Sequence, residues 1–72
     1  MVDVDPIQIQ VNGEPKSLAA GVTVCQLLEQ LGLNPARVAI ERNLQILPKA
    51  KWEETQVAAG DRFEIVQFVG GG

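Results

Sequence analysis

One segment of the sequence has the features of an α-helix, and segments with the alternating pattern of β-strands lie on both sides of it. Thr23 can cap the first helical turn, and Gln26 stands three residues later, where a capping box places its glutamine. Gly32 suits the left-handed conformation that ends many helices. The apolar stripe between these signals consists of Val24, Leu27, Leu28 and Leu31. A single helix among strand segments buries such a stripe against a sheet, so the sequence predicts an α+β domain.

Two strand segments precede the helix. Ile7 to Val11 alternates apolar residues with glutamines, which predicts a strand with one buried face. Asn12-Gly13 tolerates the positive φ angles of a two-residue hairpin turn, so the chain is expected to return as a second strand from Lys16 to Leu18. Pro15 cannot donate a backbone hydrogen bond to a neighbouring strand. The second strand is therefore predicted to lie at an edge of the sheet.

Three strand segments follow the helix. They run from Val38 to Glu41, from Gln45 to Leu47 and from Arg62 to Val69, with a turn at Arg42 to Leu44, a helical turn at Lys49 to Thr55 and a turn at Ala59 to Asp61. Trp52 in the helical turn is expected to fold back onto the core. In the last strand Phe63 and Ile65 share one face, while Val66 and Phe68 share the other. Either both faces of this strand are covered, or the Val66 and Phe68 face stays open for a partner.

The composition argues against several classes of protein. The chain has 72 residues, enough for one domain, and its net charge of −3 comes without a basic stripe, which argues against nucleic-acid binding. No apolar run approaches the ~20 residues of a membrane span, and the start of the chain lacks the basic residues of a signal peptide, so a cytoplasmic protein is expected. With no His or Tyr, the sequence offers no catalytic residue and no metal site.

Cys25 is the only cysteine, so the chain cannot form an intramolecular disulfide. It stands beside the apolar stripe of the predicted helix. Unpaired cysteines are among the most buried residues in proteins, and a packing role is favoured over a reactive one.

Three glycines, Gly70-Gly71-Gly72, end the sequence. Residues 69–72 are expected to form a flexible tail, and the three glycines after Val69, which have no side chains to pack, give it an arm of ~10 Å. The Gly72 carboxylate has no side chain beside it, so it can enter a narrow active site and attack the α-phosphate of ATP. A sulfur nucleophile can then open the acyl-adenylate to a thiocarboxylate. Val66, Phe68 and Val69 are the candidate residues for docking on the enzyme.

The segment from Gly60 to Gly72 is the most specific part of the sequence, because an acidic turn and an apolar strand lead directly into the glycines. Other recognisable parts are Val11-Asn12-Gly13, Leu27 to Gly32, and the order of Glu41, Asn43, Pro48 and Trp52. With these residues the chain resembles the ThiS family of sulfur carrier proteins over its whole length. Two departures from the family pattern are the turn Arg42 to Leu44, where Asn-Gly is expected, and Gln67, where the family often has His.

The resemblance implies a ubiquitin-like β-grasp fold, in which a mixed sheet of four to five strands packs on one main helix and the last strand lies beside the first. It also implies a carrier and not an enzyme. A ThiF-like adenylating enzyme would activate Gly72 with ATP, and a cysteine desulfurase or another persulfide donor would supply the sulfur. A ThiG-like thiazole synthase would take that sulfur for the thiazole of thiamine. Gly70 and Gly71 would give the tail its reach, and the chain itself would bind no cofactor.

Three alternatives share the same fold and stay open at this point. A molybdopterin sulfur carrier has a similar Gly-Gly end. A ubiquitin-like modifier would use the same adenylate but would join Gly72 to lysines of target proteins. A β-grasp binding module would carry the glycines without using them.

Overall fold

The computed structural model describes residues 5–68, which form a five-stranded sheet with one α-helix. The strands are β1 (Ile7–Val11), β2 (Glu14–Leu18), β3 (Val38–Arg42), β4 (Gln45–Ile46) and β5 (Arg62–Gln67). The helix α1 spans Val24–Leu31, and two short 3-10 turns span Pro35–Arg37 and Lys49–Lys51. The tail, residues 69–72, lies outside the described residues.

The strand order in the sheet is β2-β1-β5-β3-β4. β5 lies in the centre, where it pairs in parallel with β1 and antiparallel with β3. β2, which contains Pro15, lies at one edge as predicted. This mixed sheet, with the last strand beside the first, agrees with the β-grasp arrangement that the family resemblance implies.

Helix α1 has the predicted signals at both ends. The Gln26 amide donates to the Thr23 hydroxyl oxygen at 3.2 Å, and the Thr23 amide donates to Oε1 of Gln26 at 2.9 Å. Gly32 ends the helix with a φ of 73° in the left-handed region. Each of these caps satisfies backbone groups that the helix cannot pair internally. The capping pattern in the sequence therefore predicted the first residue of the helix correctly.

The core lies between α1 and one face of the sheet. It consists of Ile9, Leu18, Val22, Val24, Leu27, Leu28, Val38, Ile40, Trp52, Val57, Phe63 and Ile65. Trp52 is buried, as predicted, and its indole N–H donates to the Leu47 carbonyl at 2.9 Å. Burial of a side chain such as Leu27 of the helix or Phe63 of the sheet stabilises the fold by ~1.5 to 3 kcal/mol, so the two layers stabilise each other.

Three predicted boundaries were wrong: the start of β2 and the end of β4 by one or two residues, and the end of the helical turn by four. β2 begins at Glu14, two residues before the predicted Lys16, because Pro15 fits an edge strand that pairs with Gln10. β4 ends at Ile46, before the predicted Leu47. The helical turn predicted from Lys49 to Thr55 is a 3-10 helix of three residues, Lys49–Lys51. β5 ends at Gln67, and the predicted last residue of this strand, Val69, lies outside the described residues.

The turn between β3 and β4 has an unusual conformation. Asn43 and Leu44 have φ angles of 53° and 71°, and both lie in the left-handed region. Two positive φ angles are what a two-residue turn of type I′ requires, and the second position is ordinarily glycine. Leu44 adopts this conformation although its Cβ makes it costly by roughly 1 to 2 kcal/mol. The absence of Asn-Gly at this turn is therefore a source of local strain.

Candidate functional site

The end of β5 is the part of the described structure from which the glycine tail continues. The Phe68 amide donates to the Arg37 carbonyl at 2.7 Å, and this bond holds β5 against the start of β3. Phe68 is the last described residue of the chain. Gly70, Gly71 and Gly72, the predicted reactive end, lie outside the described residues, as does Val69.

The face of β5 that carries Val66 is open to solvent, and Phe68, the first residue after the strand, is also exposed. Val66 is 60% exposed and Phe68 is 56% exposed, whereas Phe63 and Ile65 on the opposite face are buried in the core. Helix α1 covers one face of the sheet, so the other is uncovered within residues 5–68. Of the two arrangements that the sequence left open, the structure therefore has the one in which this face is free for a partner.

Val66 belongs to a larger apolar patch on the open face. Together with Ala39 and Ile46 it lines a shallow depression of about 80 Å³. Ile46 is 76% exposed, and Leu44 at the neighbouring turn is 90% exposed. Neither Ile46 nor Leu44 was among the site residues predicted from the sequence. The alternation in β3 could have shown that Ala39 faces outward, but the position of β4 beside it depends on the sheet pairing.

Asn12 fixes the middle of β5 through its side chain. The Ile65 amide donates to Oδ1 of Asn12 at 2.7 Å, and Nδ2 of Asn12 donates to the Ile65 carbonyl at 3.2 Å. The side-chain amide of Asn12 thus donates one hydrogen bond and accepts one, as the backbone of a neighbouring strand would. β1 ends at Val11, so Asn12 extends its pairing with β5 towards the tail. The sequence predicted a role for Asn12 in the turn but gave no signal for this one.

Asp61 fixes the start of β5 through a polar network around its buried carboxylate. Its carboxylate accepts hydrogen bonds from Nε of Arg42 at 2.9 Å, Nδ2 of Asn43 at 3.1 Å and the Ala58 amide at 2.8 Å. Oδ1 of Asn43 in turn accepts from the Arg62 amide at 2.9 Å. The β3–β4 turn is therefore joined to the beginning of the last strand.

The network around Asp61 also sets its ionisation. Burial alone would raise the pKa of Asp61, but the hydrogen bonds from Ala58, Asn43 and Arg42, together with the charge of Arg42, lower it. Asp61 is thus held as a carboxylate at neutral pH. The sequence predicted a turn at Asp61 but not its three partners, which come from two separate segments of the chain.

Cys25 lies away from the open face. It is half-buried beside the core, and its backbone amide donates to the Trp52 carbonyl at 3.2 Å. This agrees with the packing role that the sequence favours.

Within residues 5–68 the structure contains no group of three or more His, Cys, Asp or Glu side chains that could hold a metal ion. In the same part of the chain, no helix has the length and apolar character needed to cross a membrane.

The helix, the sheet order and the central last strand define the chain as a ubiquitin-like β-grasp domain. The crystal structure of the thiamine biosynthesis protein ThiS from Geobacter metallireducens has the same fold, with a TM-score of 0.78 and 32% identity over 92% of this chain and all of that one. The ThiS family model matches residues 9–72. The chain belongs to the ThiS family.

Two further relatives differ in length. The sulfur carrier protein ThiS of Escherichia coli K12 is 39% identical over 92% of this chain and 100% of its own length. A thiazole synthase of Paramagnetospirillum magneticum is 44% identical over 92% of this chain, but the chain spans only 20% of that protein. Similar sequences therefore occur both as small proteins and within a much longer one.

Proposed function

We propose that this protein is a sulfur carrier of thiamine biosynthesis and that the Gly72 carboxylate is the group that carries the sulfur. Membership of the ThiS family supports the role, as does the relative named sulfur carrier protein ThiS, whose whole length is matched. The observation that carries the proposal is the end of the central strand β5, where Val66 and Phe68 are exposed shortly before the glycines.

The first step is activation of Gly72 by a ThiF-like adenylating enzyme. A carboxylate oxygen of Gly72 attacks the α-phosphorus of ATP, a new P–O bond forms and pyrophosphate leaves. The product is an acyl-adenylate, in which AMP is a good leaving group. The enzyme binds the ATP, and the carrier contributes a carboxylate on a chain that is narrow because it has no side chains.

The second step places sulfur on the activated carbon. The terminal sulfur of a persulfide, supplied by a cysteine desulfurase or a comparable donor, attacks the acyl carbon and AMP leaves. A thiol then attacks the donor's sulfur in the resulting acyl disulfide, forming a disulfide with the donor and releasing the thiocarboxylate. The electrons for this cleavage come from the thiol, and Cys25 of the carrier takes no part.

Docking of the open face would offset the cost of ordering the tail. Fixing the backbone of each tail residue costs ~1 to 2 kcal/mol, and the four residues 69–72 must be ordered in an active site. Burying an exposed apolar side chain such as Val66 or Phe68 contributes up to ~1.5 to 3 kcal/mol. The free energy gained by burying Val66, Phe68 and Val69 is therefore comparable to the free energy that ordering the tail costs.

Thiazole synthase is the proposed acceptor of the sulfur. A relative named thiazole synthase includes a stretch that is 44% identical to this chain within a polypeptide about five times as long, since the match covers 20% of it. The presence of such a stretch within a thiazole synthase supports a functional link between the carrier and thiazole synthase. We place the cycle in the cytoplasm. A protein with one cysteine cannot form an internal disulfide, so it needs no oxidising environment.

The test is intact mass spectrometry after incubation with the adenylating enzyme, ATP, a cysteine desulfurase and cysteine. We expect one oxygen of the chain to be replaced by sulfur, in the wild type and in Cys25→Ala alike. Deletion of Gly71 and Gly72 should abolish the change. Sulfur lost upon Cys25→Ala, or retained after the deletion, would show that the carboxylate of Gly72 is not the carrier.

Copurification separates this function from those of other β-grasp proteins. The chain is expected to be recovered with thiazole synthase. Recovery with the large subunit of molybdopterin synthase alone would assign it to the other sulfur-transfer pathway. A ladder of larger species in a blot of cell lysate would instead indicate a protein modifier joined to lysines through Gly72.

A further inference from the structure

Two glutamates lie directly opposite each other on the open face of the sheet. Glu41 of β3 and Glu64 of β5 are partners in the strand register, and both are exposed. Residues paired in this way extend to the same side of the sheet, where like charges destabilise the pair. The ion pairs within residues 5–68 are Arg42–Asp61 and Lys51–Glu54, so neither glutamate has a cation of its own there.

The two carboxylates stand beside the apolar depression and not on a generally polar surface. Both line the depression of about 80 Å³, together with Ala39, Ile46 and Val66. Ile46 is the register partner of Glu41 on its other side. The open face thus combines an apolar hollow with two negative charges at its border.

We infer that this pair of glutamates receives a basic side chain of the adenylating enzyme, whose neighbouring apolar side chain enters the depression. The inference rests on the function proposed above and specifies how that enzyme recognises the carrier. An arginine fits best, because its planar guanidinium has five N–H donors that can serve two carboxylates and flat faces that pack on apolar groups.

Charge complementarity favours the adenylating enzyme as the partner. The carrier has a net charge of −3, and its carboxylate tail must approach ATP, which is itself a polyanion. Cationic side chains that face Glu41 and Glu64 would counter this repulsion and would increase the association rate. A bound metal ion is a poorer explanation, since Ca²⁺ takes six to eight oxygen ligands and the described residues place no third acidic side chain here.

The test compares Glu41→Gln/Glu64→Gln with the control Glu14→Gln/Glu29→Gln. Both variants remove two negative charges, but Glu14 lies on the edge strand β2 and Glu29 on the exposed side of α1. The measurement is the Kd of the full chain for the adenylating enzyme without ATP, by calorimetry. We expect about tenfold weaker binding for the first variant at low salt and little change for the control.

Salt dependence and stability complete the test. The difference between wild type and Glu41→Gln/Glu64→Gln should shrink at ~1 M salt, where the Debye length is about 3 Å. The free variant should melt at a higher temperature than the wild type, because the repulsion between the carboxylates is removed, so weaker binding cannot be attributed to unfolding. Equal Kd values for the two variants, or a difference that high salt leaves intact, would overturn the inference.

The outcome is distinguishable from a failure of the proposed function. If the wild-type chain acquires sulfur at Gly72 while Glu41→Gln/Glu64→Gln binds normally, the function stands and the docking pair is wrong. If the wild-type chain neither binds the adenylating enzyme nor acquires sulfur, the proposed function itself fails.

Discussion

The two hairpins on either side of β5 have the same turn geometry but different residues in it. Asn12-Gly13 joins β1 to β2 with φ angles of 51° and 82°, and Asn43-Leu44 joins β3 to β4 with φ angles of 53° and 71°. Asparagine and glycine tolerate positive φ, whereas leucine does not. The first hairpin is thus formed by residues that favour its turn, and the second contains one residue that opposes it.

Both turn asparagines hydrogen-bond to β5, but Asn12 makes only neutral hydrogen bonds, whereas Asn43 belongs to an ionic network. Asn12 exchanges two hydrogen bonds with the Ile65 backbone, and all of these groups are neutral. Asn43 accepts from the Arg62 amide and donates to the buried carboxylate of Asp61, which Arg42 also binds. One side of β5 is held by an amide and the other by an ionic network, so the two sides should respond differently to mutation and to acid.

The largest loss of stability is expected for Asp61→Ala. This change leaves Arg42, the Asn43 side chain and the Ala58 amide without their shared acceptor, in a region where Asp61 is 5% exposed. Loss of a buried, charged hydrogen-bond acceptor of this kind should lower the free energy of unfolding by ~3 kcal/mol. Urea denaturation measures it. A loss below ~1 kcal/mol would show that the network does not hold the second hairpin.

Acid should weaken the same side of β5 selectively. The pKa of Asp61 is lowered from its ordinary value of 3.8 on folding, so its contribution is complete above that value and is lost as the pH falls through the lower pKa of the folded state. The stability difference between wild type and Asp61→Asn should therefore shrink below about pH 4. The cost of Asn12→Ala should stay constant over that range, since its hydrogen bonds involve no ionisable group.

Asn12→Ala is expected to cost ~2 kcal/mol. The substitution removes both side-chain bonds to Ile65, whose amide and carbonyl then lack partners in a residue that is 7% exposed. Amide hydrogen exchange at Ile65 should accelerate with the loss of stability. Asn34→Ala is the control for loss of an asparagine side chain at an ordinary backbone conformation, because Asn34 has a φ of −83° and binds a single exposed amide, that of Ala36, so it should cost much less. Equal costs for the two variants would contradict the role of Asn12.

Much of this arrangement was predictable because it depends on local sequence. Thr23, Gln26 and Gly32 define the helix by their own backbone preferences, and Asn12-Gly13 does the same for the first turn. The second turn was placed correctly, but nothing local predicts a left-handed Leu44. The contacts that hold the turn from outside are made by its neighbour Asn43, which binds Asp61 and Arg62.

The site was predictable only in part, for a similar reason. Alternation in β5 assigned Val66 and Phe68 to one face, but whether that face is covered depends on how many layers the fold has. Ile46 joins Val66 at the depression through the pairing of β4 with β3, which two residues of strand cannot reveal. Likewise, the opposition of Glu41 and Glu64 follows from the register of strands that are more than twenty residues apart in the sequence.

The smallest change in stability is expected from substituting Leu44 or Gly13, the residues at which the two turns differ. Leu44→Gly removes ~1 to 2 kcal/mol of backbone strain, but glycine loses roughly 0.5 to 1 kcal/mol more entropy on folding, so the variant should gain about 0.5 to 1 kcal/mol. Gly13→Leu should lose a similar amount. A Cβ at Gly13 meets no atom within 4 Å, so its cost comes from the backbone alone. Urea denaturation of both variants should give changes of opposite sign. A Leu44→Gly variant less stable than the wild type would mean that the exposed leucine stabilises the hairpin by packing, and that the second turn is not strained.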